Sequence, residues 1–291
     1  MIISRPRKVF LFFNAIFLII LAAIMLYPFL YVAASSFSNE TFIAQGKVGI
    51  IPQGFNLEAY KKVMKYPLIG RSYLNTIFYT VVGTIINIIF TICGAYPLSR
   101  KRFLGRRFFL MMITFTMLFS GGLIPSFLVV KELGMVDTVW AMLIPSAINT
   151  WNMLIMRNFF AQIPKELEEA AIIDGSNDYQ TLTMIILPLS TAAIATIMLF
   201  YAVGHWNEFF DALIYLRSSK LYPLQILLRN VVIQNQTADM LRDVGNDDNR
   251  AIIAESVKHA TIMVSTLPIL CVYPFIQKYF VTGVMVGSIK G

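Results

Sequence analysis

The sequence predicts an all-α, polytopic membrane protein with six transmembrane helices. Three observations carry this. The chain of 291 residues is 57% hydrophobic and only 14% charged, where a soluble domain carries roughly 25% charged residues. The apolar residues fall into six uncharged runs: Leu11–Leu30, Tyr73–Leu98, Phe108–Val130, Val139–Met156, Thr183–Gly204 and Thr261–Ile276. A hydrocarbon core of about 30 Å takes about 20 helical residues, and the runs meet or approach that length. Finally, the basic residues sit at the ends of the runs rather than spread over a surface, as the positive-inside rule places them. A net charge of +8 is therefore no sign of nucleic-acid binding.

The expected spans cover about 9–34, 73–98, 108–130, 139–157, 183–204 and 260–280, in one domain running 1–291. The first apolar stretch, Val9–Ala34, has 26 residues. A signal-peptide core has about 7–15, so it reads as a retained span. Arg5, Arg7 and Lys8 precede it without an acid, and Ser99–Arg107, "SRKRFLGRR", carries five basic residues and no acid. Such segments stay cytoplasmic, which predicts both termini inside and residues 36–71, 131–138 and 205–258 outside. In the first outer segment, Leu57, Tyr60, Val63 and Met64 are spaced as one helix face.

Between the fourth and fifth runs lies "KELEEAAIIDGSNDYQTLTMIILPLS", Lys165–Ser190. Pro164 suits a first helical turn. Glu166, Glu168 and Glu169 favour the positive end of a helix dipole. Gly175 suits the left-handed residue past a C-terminus. The expected helix, about 164–175, is roughly 16 Å long, too short and too charged to cross a bilayer. Ile163, Leu167, Ala170 and Ala171 fall near one face, where two small residues admit a close neighbour, and the other face is acidic.

Little else suggests chemistry. Cys93 and Cys271 lie in apolar runs without nearby Cys or His partners, so they predict neither disulfide nor metal site. Asp243, Asn246, Asp247, Asp248 and Glu255 do not follow the spacing of a calcium-binding EF-hand loop and read as a polar turn capping a helix that starts near Asn249 or Arg250. His205 and His259 are isolated, and neither is expected to serve metal or catalysis. No phosphate-binding G-x-x-x-x-G-K-[ST] motif is present. No catalytic residues or metal ligands are expected, and the chain is not expected to be an enzyme.

At the outer end of the fifth run, His205, Trp206, Asn207, Glu208, Phe209, Phe210, Asp211 and Tyr215 combine ionisable groups with aromatic rings. Ionisable residues at membrane depth usually face a cavity or a partner, so Trp206, Asn207, Glu208, Phe209, Asp211 and Tyr215, with Asn75 of the second run, are candidates for a substrate path. The competing reading is an interfacial aromatic belt or a subunit contact. Asn75, Thr76, Asn87 and Thr91 most commonly serve hydrogen bonds between helices.

The segment after Pro164 resembles the cytoplasmic loop of bacterial ABC-importer permeases: E-A-A, three residues, G, nine residues, I-x-L-P. Glu169, Ala170, Ala171, Gly175, Ile185, Leu187 and Pro188 match every fixed position, and Asp174 completes the usual D-G pair. The six-run layout resembles the maltose-type sugar permeases, as the second subunit of the pair. Gly121–Thr138 and Gly204–Leu216 resemble the lipo-oligosaccharide and rhamnogalacturonan branch. The resemblance implies the ABC type I importer permease fold, with the short acidic helix as the coupling helix that docks in an ATPase. It also implies an ATPase-contacting cytoplasmic tail over 281–291, including Gly287, Ser288, Lys290 and Gly291.

The partners it implies are a second permease subunit forming a heterodimer, two ATP-binding subunits that bind ATP and Mg, and an extracellular, lipid-anchored binding protein. The chain would bind no cofactor directly, and the solute would be an oligosaccharide or polysaccharide fragment crossing a bacterial plasma membrane. Another solute class on the same fold, such as a peptide, amino acid or polyol phosphate, is the alternative. A stand-alone secondary transporter would show inverted repeats with interrupted helices, which are not evident.

Overall fold

The computed structural model describes residues 5–233 and 253–271, and these are helices and connecting loops with no strand among them. They divide into two compact units.

The first unit, within the described residues, comprises 5–70, 228–233 and 253–268. Helix α1, Arg5–Ser36, carries the first predicted span after its basic first turn, and none of its most apolar 18-residue window is buried. Asn39 caps α2, Glu40–Ala44, by accepting from the Thr41 N–H. Helix α3, Glu58–Lys65, turns Ala59 and Val63 inward, and the Tyr60 hydroxyl meets the Ser36 hydroxyl at 2.8 Å. The expected face is thus rotated: Leu57 and Met64 point outward, 42% and 67% exposed. Leu57 fails because it precedes the helix as its cap residue. In the helical stretch 253–271, His259 lies edge-on to Tyr31, ring centroids 5.9 Å apart. The helix start near Asn249 and four of the five calcium-like residues lie outside the described residues.

The second unit, within the described residues, comprises 71–227 and 269–271. Its spine is α4, Pro67–Ser99, 33 residues long and so about 50 Å. With α1 it is, among the described residues, one of two helices long and apolar enough to cross a membrane, a number that rises to four if each of two bent pairs is one span. The third predicted span, 108–130, is the first such pair. Helices α5, Arg106–Leu118, and α6, Leu123–Glu132, meet at 114°. Between them Gly122 has φ +85°, a conformation open to glycine and incompatible with a continuing helix.

The fourth, 139–157, is split into α7, Trp140–Leu143, and α8, Thr150–Gln162. Pro145 lies in the gap and supplies no backbone donor. Asn149 then starts α8 by accepting from the Asn152 N–H.

The fifth, 183–204, is bent by 83° between a segment ending at Leu189 and α12, Thr191–Asn207. That segment runs through α10, Asp178–Thr181, a π-helical turn over Leu182–Ile186, and α11, Leu187–Leu189. The ring of Pro188 would clash with the carbonyl four residues back, at Met184, and the chain widens there. The unit also holds α13, Phe210–Tyr215, and the first four residues of α14, Leu224–Val232. The last predicted span, 260–280, is helical up to 271; its remainder lies outside the described residues.

Asn75, Thr76, Asn87 and Thr91, singled out in the second predicted span, each hold backbone or polar side chains of other segments. Asn75 Nδ2 donates to the carbonyls of Lys220 and Tyr222. The Thr76 hydroxyl accepts from the Leu224 N–H. Asn87 Nδ2 donates to the Ser146 carbonyl at 2.5 Å, and its Oδ1 lies 2.6 Å from His205 Nε2. Thr91 meets the Tyr201 hydroxyl, which accepts from the Asn149 N–H. Gly83 makes room for His205: a Cβ there would come within 2.5 Å of the ring.

Candidate functional site: the acidic helix and its cradle

Helix α9, Lys165–Ile173, is the nine-residue core of the predicted 164–175 helix. Pro164 stands just before the first turn, not in it, with ψ 133°; its ring fixes only φ. At the other end Gly175 has φ +85°. Its N–H donates to Ile172 O at 3.0 Å, and the Ser176 N–H donates to Ala171 O at 2.9 Å. This is the paired closure of a Schellman motif. No atom would meet a Cβ on Gly175, so Gly175→Ala carries only the backbone penalty, about 1–2 kcal/mol, whereas Asn tolerates the left-handed region better. Thermal unfolding of the two variants should rank Asn above Ala.

The face that α9 turns inward takes only Ala171 from the apolar face read in the sequence, and adds an acid. Glu168 and Ala171 are buried, while Leu167, Ala170 and Glu169 face outward. The reason is an ion pair. Glu168 Oε2 lies 3.1 Å from Arg100 Nη1, both side chains being only about a tenth exposed, and Glu168 Oε1 lies 3.5 Å from Arg102. Arg102 also pairs with Asp178 at the start of α10. Arg100 reaches the Phe160 carbonyl at the end of α8, and its guanidinium carbon sits 5.0 Å from the Tyr96 ring centroid. A buried carboxylate is tolerated only with such partners. The basic segment 99–107, read in the sequence as a topological signal, is therefore also the cradle of α9.

On one flank of α9 lies a cleft of about 280 Å³ lined by Arg100, Lys101, Arg102, Arg106, Lys165, Glu168 and Glu169. On the other flank Ile163, Pro164 and Leu167 face Leu189, Ala192 and Ala193 across an apolar groove of about 380 Å³. Asp174 ends the helix exposed. Ile185 and Leu187 pack partly buried against a core of Ala95, Met156, Phe160 and Ile197. The residue between them, Ile186, is fully buried there, a role the I-x-L-P pattern leaves unassigned. Pro188 is exposed. The tail residues Gly287, Ser288, Lys290 and Gly291 lie outside the described residues.

The substrate-path candidates do not converge. Tyr215 is buried, its ring parallel to that of Phe127, and shares a core with Val130 and Ala141. Asn75 spends both amide donors on carbonyls, as a residue does when it holds a loop. Asn207 donates to the Val203 carbonyl one turn back. Phe209 is exposed, and Trp206 is half-buried. Glu208 and Asp211 do come together: Glu208 Oε1 accepts from the Asp211 N–H at 3.0 Å.

Burial, and then the charge of Glu208, push the Asp211 carboxyl up to about 6. An acid whose folded value is raised binds more protons when folded. Asp211 thus adds stability below its unfolded value of about 3.9 and loses it as pH rises through about 6. Asp211→Asn should flatten that part of the stability profile between pH 4 and 7 in thermal melts; an unchanged difference between variant and wild type would refute the assignment.

Residues 83–286 match the family described as binding-protein-dependent transport system inner membrane component. The protein LplC of Bacillus subtilis is 47% identical over 99% of this chain and 97% of its own. The polygalacturonan/rhamnogalacturonan transport system permease protein YtcP of the same organism is 45% identical over 94% of this chain and 96% of its own. A crystal structure of a bacterial ABC transporter involved in import of the acidic polysaccharide alginate contains a chain with TM-score 0.87 and 38% identity; the match covers 96% of this chain and 99% of that one. The fold is that of the type I ABC permeases. The chain belongs to the family of binding-protein-dependent transport system inner membrane components, and is a membrane-embedded transport permease rather than an enzyme.

Proposed function

We propose that this chain is one of two permease subunits of an ATP-driven importer for oligosaccharides or polysaccharide fragments. The observation that carries the reading is α9. It is a short helix that presents Glu166, Glu169 and Ala170 on its outer surface, closed at its end by Gly175. Being tied to the spans through Glu168, it fits the role of a docking element for a separate ATPase. That ATPase would bind ATP and Mg, and its closure would move α9 as a rigid body.

Carbohydrate as the solute is supported by the relatives: YtcP is named for polygalacturonan and rhamnogalacturonan, and the structural neighbour serves alginate. An extracellular, lipid-anchored binding protein would deliver the sugar. Six crossings with both termini cytoplasmic place Ser99–Arg107 and α9 on one side, in keeping with the acid-free basic cluster. The bent pairs then count as single crossings, and α9 and the 281–291 tail would both meet the ATPase.

The test is purification of the tagged chain in mild detergent with identification of co-purifying chains, then uptake of labelled oligosaccharides by the reconstituted complex. A second permease and an ATP-binding subunit, with ATP-dependent uptake, are expected. Uptake by this chain alone without ATP would replace the reading with a secondary transporter.

A further inference from the structure

We infer that α4 is the rod through which displacement of α9 reaches the far end of its unit, and that the buried Glu168–Arg100 pair is the joint that engages it. This rests on the reading of α9 as the ATPase-docking helix. Along the chain α9 is set off from the spans on either side by an extended Pro164 before it and a left-handed Gly175 after it, so neither neighbouring helix continues into it. Its firm attachment is lateral. Glu168 and Arg100 are each 8% exposed and 3.1 Å apart, so sliding α9 away from α4 would strand a carboxylate out of water. Arg100 directly follows the last residue of α4, and Tyr96, one turn back, lies against its guanidinium. A pull on α9 is therefore a pull on the end of α4.

From that end the helix makes polar attachments along its length. Thr91 and Asn87 grip Tyr201 and His205 of α12, and Asn87 also holds the Ser146 carbonyl. Its opposite end grips the segment before α14. Arg71 Nε and Asn75 Nδ2 donate to the Lys220 carbonyl, the Tyr79 hydroxyl donates to the Leu221 carbonyl, and Thr76 receives the Leu224 N–H. The same segment is pinned at Arg217 and Ser218, whose N–H groups donate to the Asp137 carboxylate. Backbone atoms held at four successive contacts cannot lag behind the helix that holds them. Glu168 and Asn75 thus act as positioning residues at the two ends of one rod.

The experiment uses the reconstituted complex with its ATPase, partner permease and binding protein, and reads two ratios. One is solute translocated per ATP hydrolysed; the other is stimulation of hydrolysis by the loaded binding protein. Glu168→Gln should lower the first by about tenfold while the ATPase still co-purifies. Combining Arg100→Glu with Glu168→Arg should recover part of it. Asn75→Ala, at the end remote from the ATPase, should lower the stimulation severalfold without altering co-purification. A wild-type ratio in assembled Glu168→Gln complexes overturns the joint. Should that variant not assemble, Asn75→Ala decides alone, and unchanged stimulation overturns the rod. Absence of any ATPase with the wild-type chain would instead refute the docking reading itself.

Discussion

Ala171→Asp should abolish uptake by the assembled importer. Ala171 is 6% exposed on the inner face of α9, one turn from Glu168 on the same side. A carboxylate there would lack a partner and would compete for Arg100, which already serves Glu168. A buried charge without compensation costs several kcal/mol, more than a nine-residue helix is able to retain in its docked position. Ala171→Ser adds one polar atom and no charge, and should keep most of the activity. Uptake and ATP hydrolysis measured side by side check this. Normal uptake by Ala171→Asp would show that the inner face of α9 does not set coupling.

Asn87→Leu should produce the largest loss of stability among the polar positions of α4. Asn87 is 1% exposed and bridges the Ser146 carbonyl to the His205 ring. Leucine matches its bulk but leaves both partners unpaired away from water, at about 1–3 kcal/mol each. Thr91→Val should cost less, about 1 kcal/mol, because the Tyr201 hydroxyl keeps the Asn149 N–H as a partner. Melting temperatures of the detergent-solubilised chain compare the two; equal shifts would mean that Asn87 does not bridge these segments.

Much of the candidate site was legible along the chain because it is local. The start and stop of α9 depend on neighbours within a few residues: acids in its first turn and a glycine able to adopt positive φ. The E-A-A, G and I-x-L-P spacing lies within twenty consecutive residues, Glu169–Pro188. The two long spans were equally plain, since uninterrupted hydropathy is a property of consecutive residues. The basic run Ser99–Arg107 and the acidic helix were each visible, but no local rule joins Arg100 to Glu168, 68 positions apart. For that reason the sequence marks an apolar face on α9 but not the acidic residue that turns inward.

Hydropathy also carries no direction. The uncharged run Thr183–Gly204 reads as one crossing, yet the helix turns by 83° at Ser190. The bend follows from Pro188 widening the turn before it, and from the packing of Ile186 against Met156 and Phe160 on α8. Likewise the aromatic and acidic cluster after His205 could be named but not resolved. Whether Tyr215 faces a path or a core depends on Phe127, from a distant segment. The sequence by itself determined the membrane class, the short helix with its caps, and the motif that identifies the family. Each of these rests on interactions among near neighbours. Tertiary structure alone decided which carboxylate is buried, which polar side chains hold loops, and where apolar runs change course, because those outcomes depend on partners that only folding brings within a few ångströms.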